Sequence, residues 1–257
     1  MKHYDDIKNS LVKFPSYKII DDNDSKDYKL LLKLFFSLFF EKQDDKKLAI
    51  KLNSIAKLLY KLISLYGVCD LDLDDKMKNE IVDKLFNKLP TIREYLYYDC
   101  EAIYQNDPAT KSKEEVILAS LGFYALFVYR IAHELYLLNV NILPKILTEY
   151  AHSKTGIDVS AGATIGKYFS IDHGTGIVIG ETTVIHDNVT IYQGVTLGAL
   201  STRGGKKLSG IKRHPTIMNN VTIYANATIL GGNTIVGDNV VVKANAFITE
   251  SVFKNDK

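Results

Sequence analysis

The chain has 257 residues, 46% hydrophobic and 24% charged, with 32 basic against 30 acidic side chains. That composition supports a sizeable core in one large domain or two modest ones and argues against disorder. The near balance of charge gives no case for nucleic acid or an anionic membrane surface as the main partner. Cys69 and Cys100 fit neither a metal-ligand spacing nor a disulfide framework, and read as structural thiols in a reducing compartment. The start, Met1-Lys-His-Tyr-Asp-Asp, lacks the apolar core of a signal peptide. The most apolar stretch, Leu30 to Phe40, contains Lys33, is too short to span a bilayer and reads as a buried helix. The expectation is a cytoplasmic protein.

Glycine divides the chain. Only Gly67 and Gly122 precede position 150, and the rest of the 16 follow it. Because glycine weakens helices and serves tight corners, such a shift marks two architectures. The first, residues 1–150, reads as helical. Leu48, Leu52, Ile55, Leu59, Leu62 and Tyr66 recur every three or four positions, with Asp45 suited to cap the start and Gly67 the end. A helix is expected from Asp75 to Leu89, stopped by Pro90, and another from Thr91 to Gln105. Ser112 and Glu115 form a capping-box pattern ahead of an apolar helix from Val116 to Leu138, with a bend expected at Gly122. Pro144 is expected to open a last short helix.

The second architecture, residues 151–257, has a period of six. Val159, Ile165, Ile171 and Ile177 form one register. Ile179, Ile185, Ile191 and Leu197 form a second, and Ile217, Ile223, Ile229, Ile235, Val241 and Phe247 a third. Four positions after most of these stands a small or β-branched residue, such as Ala163, Thr175, Thr183, Val189, Val195, Val221 or Ala227. Neither helical nor plain strand alternation places an aliphatic at every sixth position. A prism of short flat faces does, with the aliphatics pointing inward, and about five coils would stack. The fold class is therefore α + β: an α-helical N-terminal domain followed by a left-handed parallel β-helix of hexapeptide repeats.

The period fails twice. It slips by two residues at Asp172-His173-Gly174-Thr175-Gly176. Between Leu197 and Ile217 the spacing is 20 rather than the 18 of a whole turn, and Gly198 to His214 is expected to leave the prism as an excursion loop. Loops raised on a rigid scaffold are common places for binding and catalysis. His173 in the first interruption has two readings, a corner residue or a general base. Asp158, about one turn earlier, is placed to orient its ring from the adjacent coil. His186 reads as a surface residue, and His133 as a packed, hydrogen-bonded one. His173, His186 and His214 lack the spacing expected of zinc ligands, so no metal is expected.

His152-Ser-Lys-Thr-Gly-Ile-Asp158, Ile171-Asp-His-Gly-Thr-Gly-Ile-Val-Ile-Gly-Glu-Thr182, Ile191-Tyr-Gln-Gly-Val-Thr-Leu-Gly-Ala-Leu200 and Lys212-Arg-His-Pro-Thr-Ile217 resemble serine O-acetyltransferase. So do Asp107-Pro-Ala109 and Tyr129-Arg-Ile-Ala-His133. The resemblance implies transfer of acetyl from acetyl-CoA, a co-substrate rather than a resident cofactor, to L-serine, giving O-acetyl-L-serine and CoA in the first step of cysteine synthesis. It implies His173 as general base and Asp158 as its orienting carboxylate. Asp107 and Asp172 would bind the serine ammonium and Arg213 its carboxylate, with His214 beside it. Gly198, Ala199 and Ala225 would leave room for the pantetheine arm. For Arg213 a solvated loop charge, and for Asp107 a turn aspartate before Pro108, stay open as alternatives. It further implies a homotrimer with sites between neighbouring prisms, in some members two trimers joined, and in many feedback inhibition by cysteine. The tail, Val252-Phe-Lys-Asn-Asp-Lys257, lacks the terminal isoleucine that many members insert into O-acetylserine sulfhydrylase, so either that complex is absent or the chain is cut short. Tyr224 and Asn226 depart from the family's small residues beside Ala225, and His186 replaces a glycine. An acetyltransferase of the same superfamily acting on a sugar or xenobiotic hydroxyl is the competing reading; it should not need the clamp of Asp107, Asp172 and Arg213.

Overall fold

A computed structural model describes residues 22–42, 44–67 and 73–254; Cys69 lies outside them. Among these described residues six helices come first: α1 (Asp22–Phe40), α2 (Asp45–Tyr66), α3 (Asp75–Asn106), α4 (Lys113–Ala119), α5 (Leu121–Leu137) and α6 (Ile142–Thr155). The helical part therefore runs past position 150. Among the described residues thirteen short strands follow: β1 (Asp158–Val159), β2 (Thr164–Ile165), β3 (Ser170–Asp172), β4 (Val178–Ile179), β5 (Val184–Ile185), β6 (Thr190–Tyr192), β7 (Thr196–Gly198), β8 (Thr216–Ile217), β9 (Thr222–Ile223), β10 (Thr228–Leu230), β11 (Ile235–Val236), β12 (Val241–Val242) and β13 (Phe247–Ile248).

Local chemistry corrects several helix ends. The cap of α2 is Asp44 rather than Asp45: its carboxylate accepts from the Lys47 amide at 2.8 Å. Pro90 does not stop a helix: α3, 32 residues long in all, runs through it. Buried Val82, Leu85 and Leu89 before the proline and Ile92, Leu96 and Cys100 after it lie on one continuous face. That packing outweighs a proline cost of about 3 kcal/mol. The break in the next helix falls at Ser120, not Gly122, where α4 and α5 meet at 73°. Ser120 ends α4 and caps α5, its hydroxyl accepting from the Phe123 amide at 3.1 Å. Gly122 serves close packing instead, since a Cβ there would lie 2.8 Å from the Ile171 carbonyl oxygen. The Ser112 cap forms as expected, accepting from the Glu115 amide at 3.2 Å, while Glu115 reaches back to the Lys111 amide at 2.8 Å. Among the described residues no single helix is long and apolar enough to cross a membrane.

The strands stack as three parallel sheets, the hexapeptide prism expected from the repeat. Face one holds β1-β4-β7-β10-β13, face two β2-β5-β8-β11 and face three β3-β6-β9-β12. Four coils are complete and β13 begins a fifth. Val159, Ile165, Ile171, Ile179, Ile185, Ile191, Leu197, Ile217, Ile223 and Ile229 all point into the buried core. Beyond them the expected register is off by one. Val236 (0% exposed) and Val242 (3%) fill the interior, whereas Ile235 (36%), Val241 (60%) and Phe247 (71%) face outward. The extra residue in Leu230-Gly-Gly-Asn-Thr lengthens that coil, and Thr216 pairs with Ile235, 19 positions on. A one-residue shift exchanges the two faces of a strand. Thr175, in the first interruption, is exposed rather than packed.

The interruptions also show in the pairing. Asp158 pairs with Val178, 20 positions on, which accommodates the two extra residues near His173. Val178 pairs with Thr196 at the regular 18, but Val184 pairs with Thr216 at 32. Leu197 and Ile217 thus belong to different faces, and the excursion, with its short 3-10 turn Gly205–Leu208, adds far more chain than a spacing of 20 suggests.

Helix α5 fastens the helical part to the first coil. Tyr129 donates its hydroxyl to the Ala163 carbonyl at 2.6 Å, and Arg130 donates to the carbonyls of Ile165 and Gly166 at 2.5 and 2.6 Å. His133 Nδ1 lies 2.8 Å from the Ala161 carbonyl and therefore carries the proton. Burial lowers the pKa of His133, in keeping with a packed neutral ring. Arg130 also holds buried Asp99 through two bonds of 2.9 Å, and Asp99 accepts from the Phe169 amide. Burial raises the Asp99 carboxyl and Arg130 opposes it; the bidentate geometry favours the ion pair.

Candidate active site

The interruption at Asp172–Gly176 forms the corner between face three and face one. His173 (φ +57°), Gly174 (φ +87°) and Gly176 (φ +79°) are all left-handed. Only glycine fits at 174, because a Cβ there would lie 2.5 Å from Ile157 Cδ1. The turn throws the His173 ring outward, 74% exposed, with Nε2 3.6 Å from Asp172 Oδ1. Facing it is the end of α3. There Asn106 bonds Thr190 of face three at 3.0 Å, which fixes the neighbouring Asp107 against the prism. Asp107 accepts from the Thr110 hydroxyl at 2.7 Å and the Ala109 amide at 2.8 Å, and these bonds hold its carboxyl below the usual range, with a smaller pull from His173. Asp107, Asp172 and His173 line one cleft of about 570 Å³, walled by Pro108, Ser120 and Gly122.

Asp158 does not join them. It makes neither a hydrogen bond nor an ion pair with His173, because the two-residue bulge sets Asp158 beneath Val178 rather than beneath the histidine. Its carboxylate instead lies within 4.8 Å of the Glu149 and His152 ligand atoms at the end of α6. Those three groups could hold a cation, a grouping that the histidine spacings alone did not suggest.

Arg213 and His214 occupy a different edge, between face one and face two. Thr182 organises both: its hydroxyl accepts from the Arg213 amide at 2.9 Å, and its own amide donates to His214 Nδ1 at 3.1 Å. Nδ1 is therefore the acceptor, and the proton sits on Nε2. Arg213 is paired with Glu181, which also accepts from Tyr136 at 3.2 Å. Lys212 pins the returning loop by donating to the carbonyls of Thr182, His214 and Pro215; burial lowers its ammonium to about 8. Gly198 ends β7 (Thr196–Gly198) and Ala199 follows it, along this same edge. Ala225 lies on the His173 edge, one corner above Gln193 and Gly194. The predicted residues are thus sorted onto two edges, with face one between them. Sequence reading gave Glu181 and Thr182 no role. Their signal is the 32-residue step from Thr182 to His214, legible only once the excursion's length is known.

Burial, followed by the neighbouring charges of Arg213 and Lys212, lowers the His214 pKa from 6.5 to about 4. The unfolded chain takes up a proton in that window and the folded ring does not. His214's contribution to stability is therefore intact above pH 6.5 and lost as pH falls towards 4. Thermal melts across pH 4–7 should show a shallower acid loss in His214→Asn, whose amide oxygen can replace Nδ1 as acceptor without titrating.

A family model described as serine acetyltransferase, N-terminal, matches residues 48–127. The plasmid serine acetyltransferase of Synechococcus elongatus is 45% identical over 106 residues, 41% of this chain and 33% of that protein. The crystal structure of Entamoeba histolytica serine acetyltransferase isoform 3, in complex with cysteine, superposes with a TM-score of 0.78 at 34% identity, covering 93% of this chain and 80% of that one. The chain belongs to the serine acetyltransferase family. A serine acetyltransferase structure in complex with CoA also matches, with a TM-score of 0.61 at 30% identity over 89% of this chain and 90% of that one. The alignments span a third to about half the length of the curated serine acetyltransferases they match.

Proposed function

We propose that the chain transfers the acetyl group of acetyl-CoA to the hydroxyl of L-serine. The observation that carries this reading is the convergence of Asp107, Asp172 and His173 on one cleft: two carboxylates for an ammonium group beside an imidazole with an accessible Nε2. A serine hydroxyl is a poor nucleophile near neutral pH, so His173 takes its proton as oxygen attacks the thioester carbon. The tetrahedral intermediate then expels CoA as the thiolate.

Arg213 and His214 lie on the opposite edge of face one, too far round the prism to serve the same chain's His173. In a homotrimer the His173 edge of one prism meets the Arg213–His214 edge of the next, and the serine carboxylate is held by the guanidinium and by Nε2–H of His214. Asp158, whose carboxylate lies near Glu149 and His152 of α6, becomes an orienting group for His173 only after a side-chain rearrangement on substrate binding. A cytoplasmic location and inhibition by cysteine complete the proposal; the latter is supported by the cysteine-bound Entamoeba relative.

Thiol release from acetyl-CoA should depend on L-serine and be much slower with homoserine or a panel of sugars; release driven equally well by a sugar would replace this reading with the sugar-acetyltransferase one. Gly180→Ala gives a sharper local result. A Cβ at Gly180 would lie 2.1 Å from His214 Cδ2 and 2.2 Å from Nε2. The ring must move, and steady-state kinetics should show KM for L-serine raised about tenfold.

A further inference from the structure

The end of α6 and the start of β1 gather three metal-ligating side chains outside the His173 cleft. Glu149 and His152 stand three residues apart on α6 and so share one face of it. The helix stops at Gly156, whose φ of +71° reverses the chain and whose amide donates to the His152 carbonyl at 2.8 Å. Thr155 fixes that turn, donating its hydroxyl to the Ala151 carbonyl at 2.8 Å and accepting from the Ile157 amide at 3.1 Å. Asp158, in register with Val178, is thereby brought back against the same helix face. One ligand atom from each of the three side chains lies within 4.8 Å of the other two.

Spacing and charge both favour a cation between them. His152 Nδ1 is 3.6 Å from Glu149 Oε2. That is too long for a hydrogen bond and close to the roughly 3.3 Å between two ligands on a tetrahedral zinc ion. Lys145 takes the other Glu149 oxygen at 2.5 Å, which leaves Oε2 to face the group. Lys145 above all, and His152 after it, hold the Glu149 carboxyl below the usual range, so it is ionised as a ligand must be. The carbonyl end of α6, the negative pole of the helix, lies beside all three. Glu149 is exposed and the other two are half-buried, which leaves an ion a way in.

We propose that Glu149, His152 and Asp158 form a site for a divalent transition-metal ion, zinc by its donor set, and that a bound ion keeps Asp158 away from His173. One imidazole and two carboxylates suit zinc, with a further position left to water. The inhibition rests on the acetyl-transfer reading above, in which the Asp158 carboxylate must leave α6 to orient the imidazole. An ion ligated by that carboxylate opposes the move and slows acetyl transfer reversibly.

The test uses the full-length protein, with Co²⁺ as the spectroscopic probe and Zn²⁺ as competitor and inhibitor. Co²⁺ should bind stoichiometrically with the chain in calorimetry and give visible absorption that Zn²⁺ abolishes. His152→Ala and Glu149→Gln should each weaken Co²⁺ by more than about a hundredfold, beyond what losing a group that merely orients a ligand costs. Both variants should keep the wild-type rate of serine-dependent thioester loss when metal is absent. Zn²⁺ should slow that reaction in the wild type, a chelator should restore it, and His152→Ala should hardly respond. Equal Co²⁺ affinity in the wild type and both variants would overturn the site. Tight binding lost in the variants, with no slowing of the wild type by Zn²⁺, would overturn the hold on Asp158. Stoichiometric binding in a wild type that releases no CoA with L-serine, even after chelation, would keep the site and sink the acceptor assignment instead.

Discussion

Replacing His173 by asparagine is expected to slow serine-dependent CoA release by about 10²–10⁴-fold while leaving CoA affinity and the melting temperature near wild type. Asparagine is the informative substitution because residue 173 has φ +57°, a conformation that asparagine tolerates and alanine does not. The loss should fall on kcat, since the imidazole is needed to take the hydroxyl proton and not to hold either substrate. Asp172→Asn, one residue away, should instead raise KM for L-serine. The two neighbours are thereby separated by which kinetic constant each one moves.

The second large effect concerns stability. Arg130→Met should destabilise the chain by about 3–5 kcal/mol, measured by urea unfolding, because it leaves the fully buried Asp99 carboxylate without its cation and strips donors from the Ile165 and Gly166 carbonyls. The double variant Asp99→Leu with Arg130→Met should recover part of that loss, since removing both charges abolishes the uncompensated one. Equal loss in the single and double variants would mean that the carbonyl bonds, not the ion pair, hold α5 to the first coil.

The prism was legible in the sequence because its cause is local: an inward aliphatic every sixth residue has no other use. The reading failed where the chain departs from that local rule. Ile235, Val241 and Phe247 keep the six-residue spacing yet face outward, since one added residue near Gly231 moved Val236 and Val242 into the core. Pro90 signals a helix end, but the face it interrupts is buried on both sides and the helix persists. In the site, the resemblance already gathers Asp107, Asp172 and His173 around one serine, while the fold supplies what no spacing shows, that the end of α3 and the first corner share a cleft. The link from Asp158 to His173 was drawn from a spacing close to one turn, and the bulge that makes His173 prominent also removes it from that register. Glu181 and Thr182 went unassigned because their work is to position Arg213 and His214, residues that return only after the excursion loop.

In the proposed assembly the two half-sites, one edge bearing His173 and the other bearing Arg213, come from different chains. Co-refolding His173→Asn with Arg213→Met subunits tests this directly, because each variant retains the edge that the other lacks. The prediction is that neither variant alone releases CoA with L-serine at more than a small fraction of the wild-type rate, and that the mixture regains about a quarter of it, as random assortment of two edges requires. A mixture no more active than its separate components would place both edges in one chain's site and contradict the account.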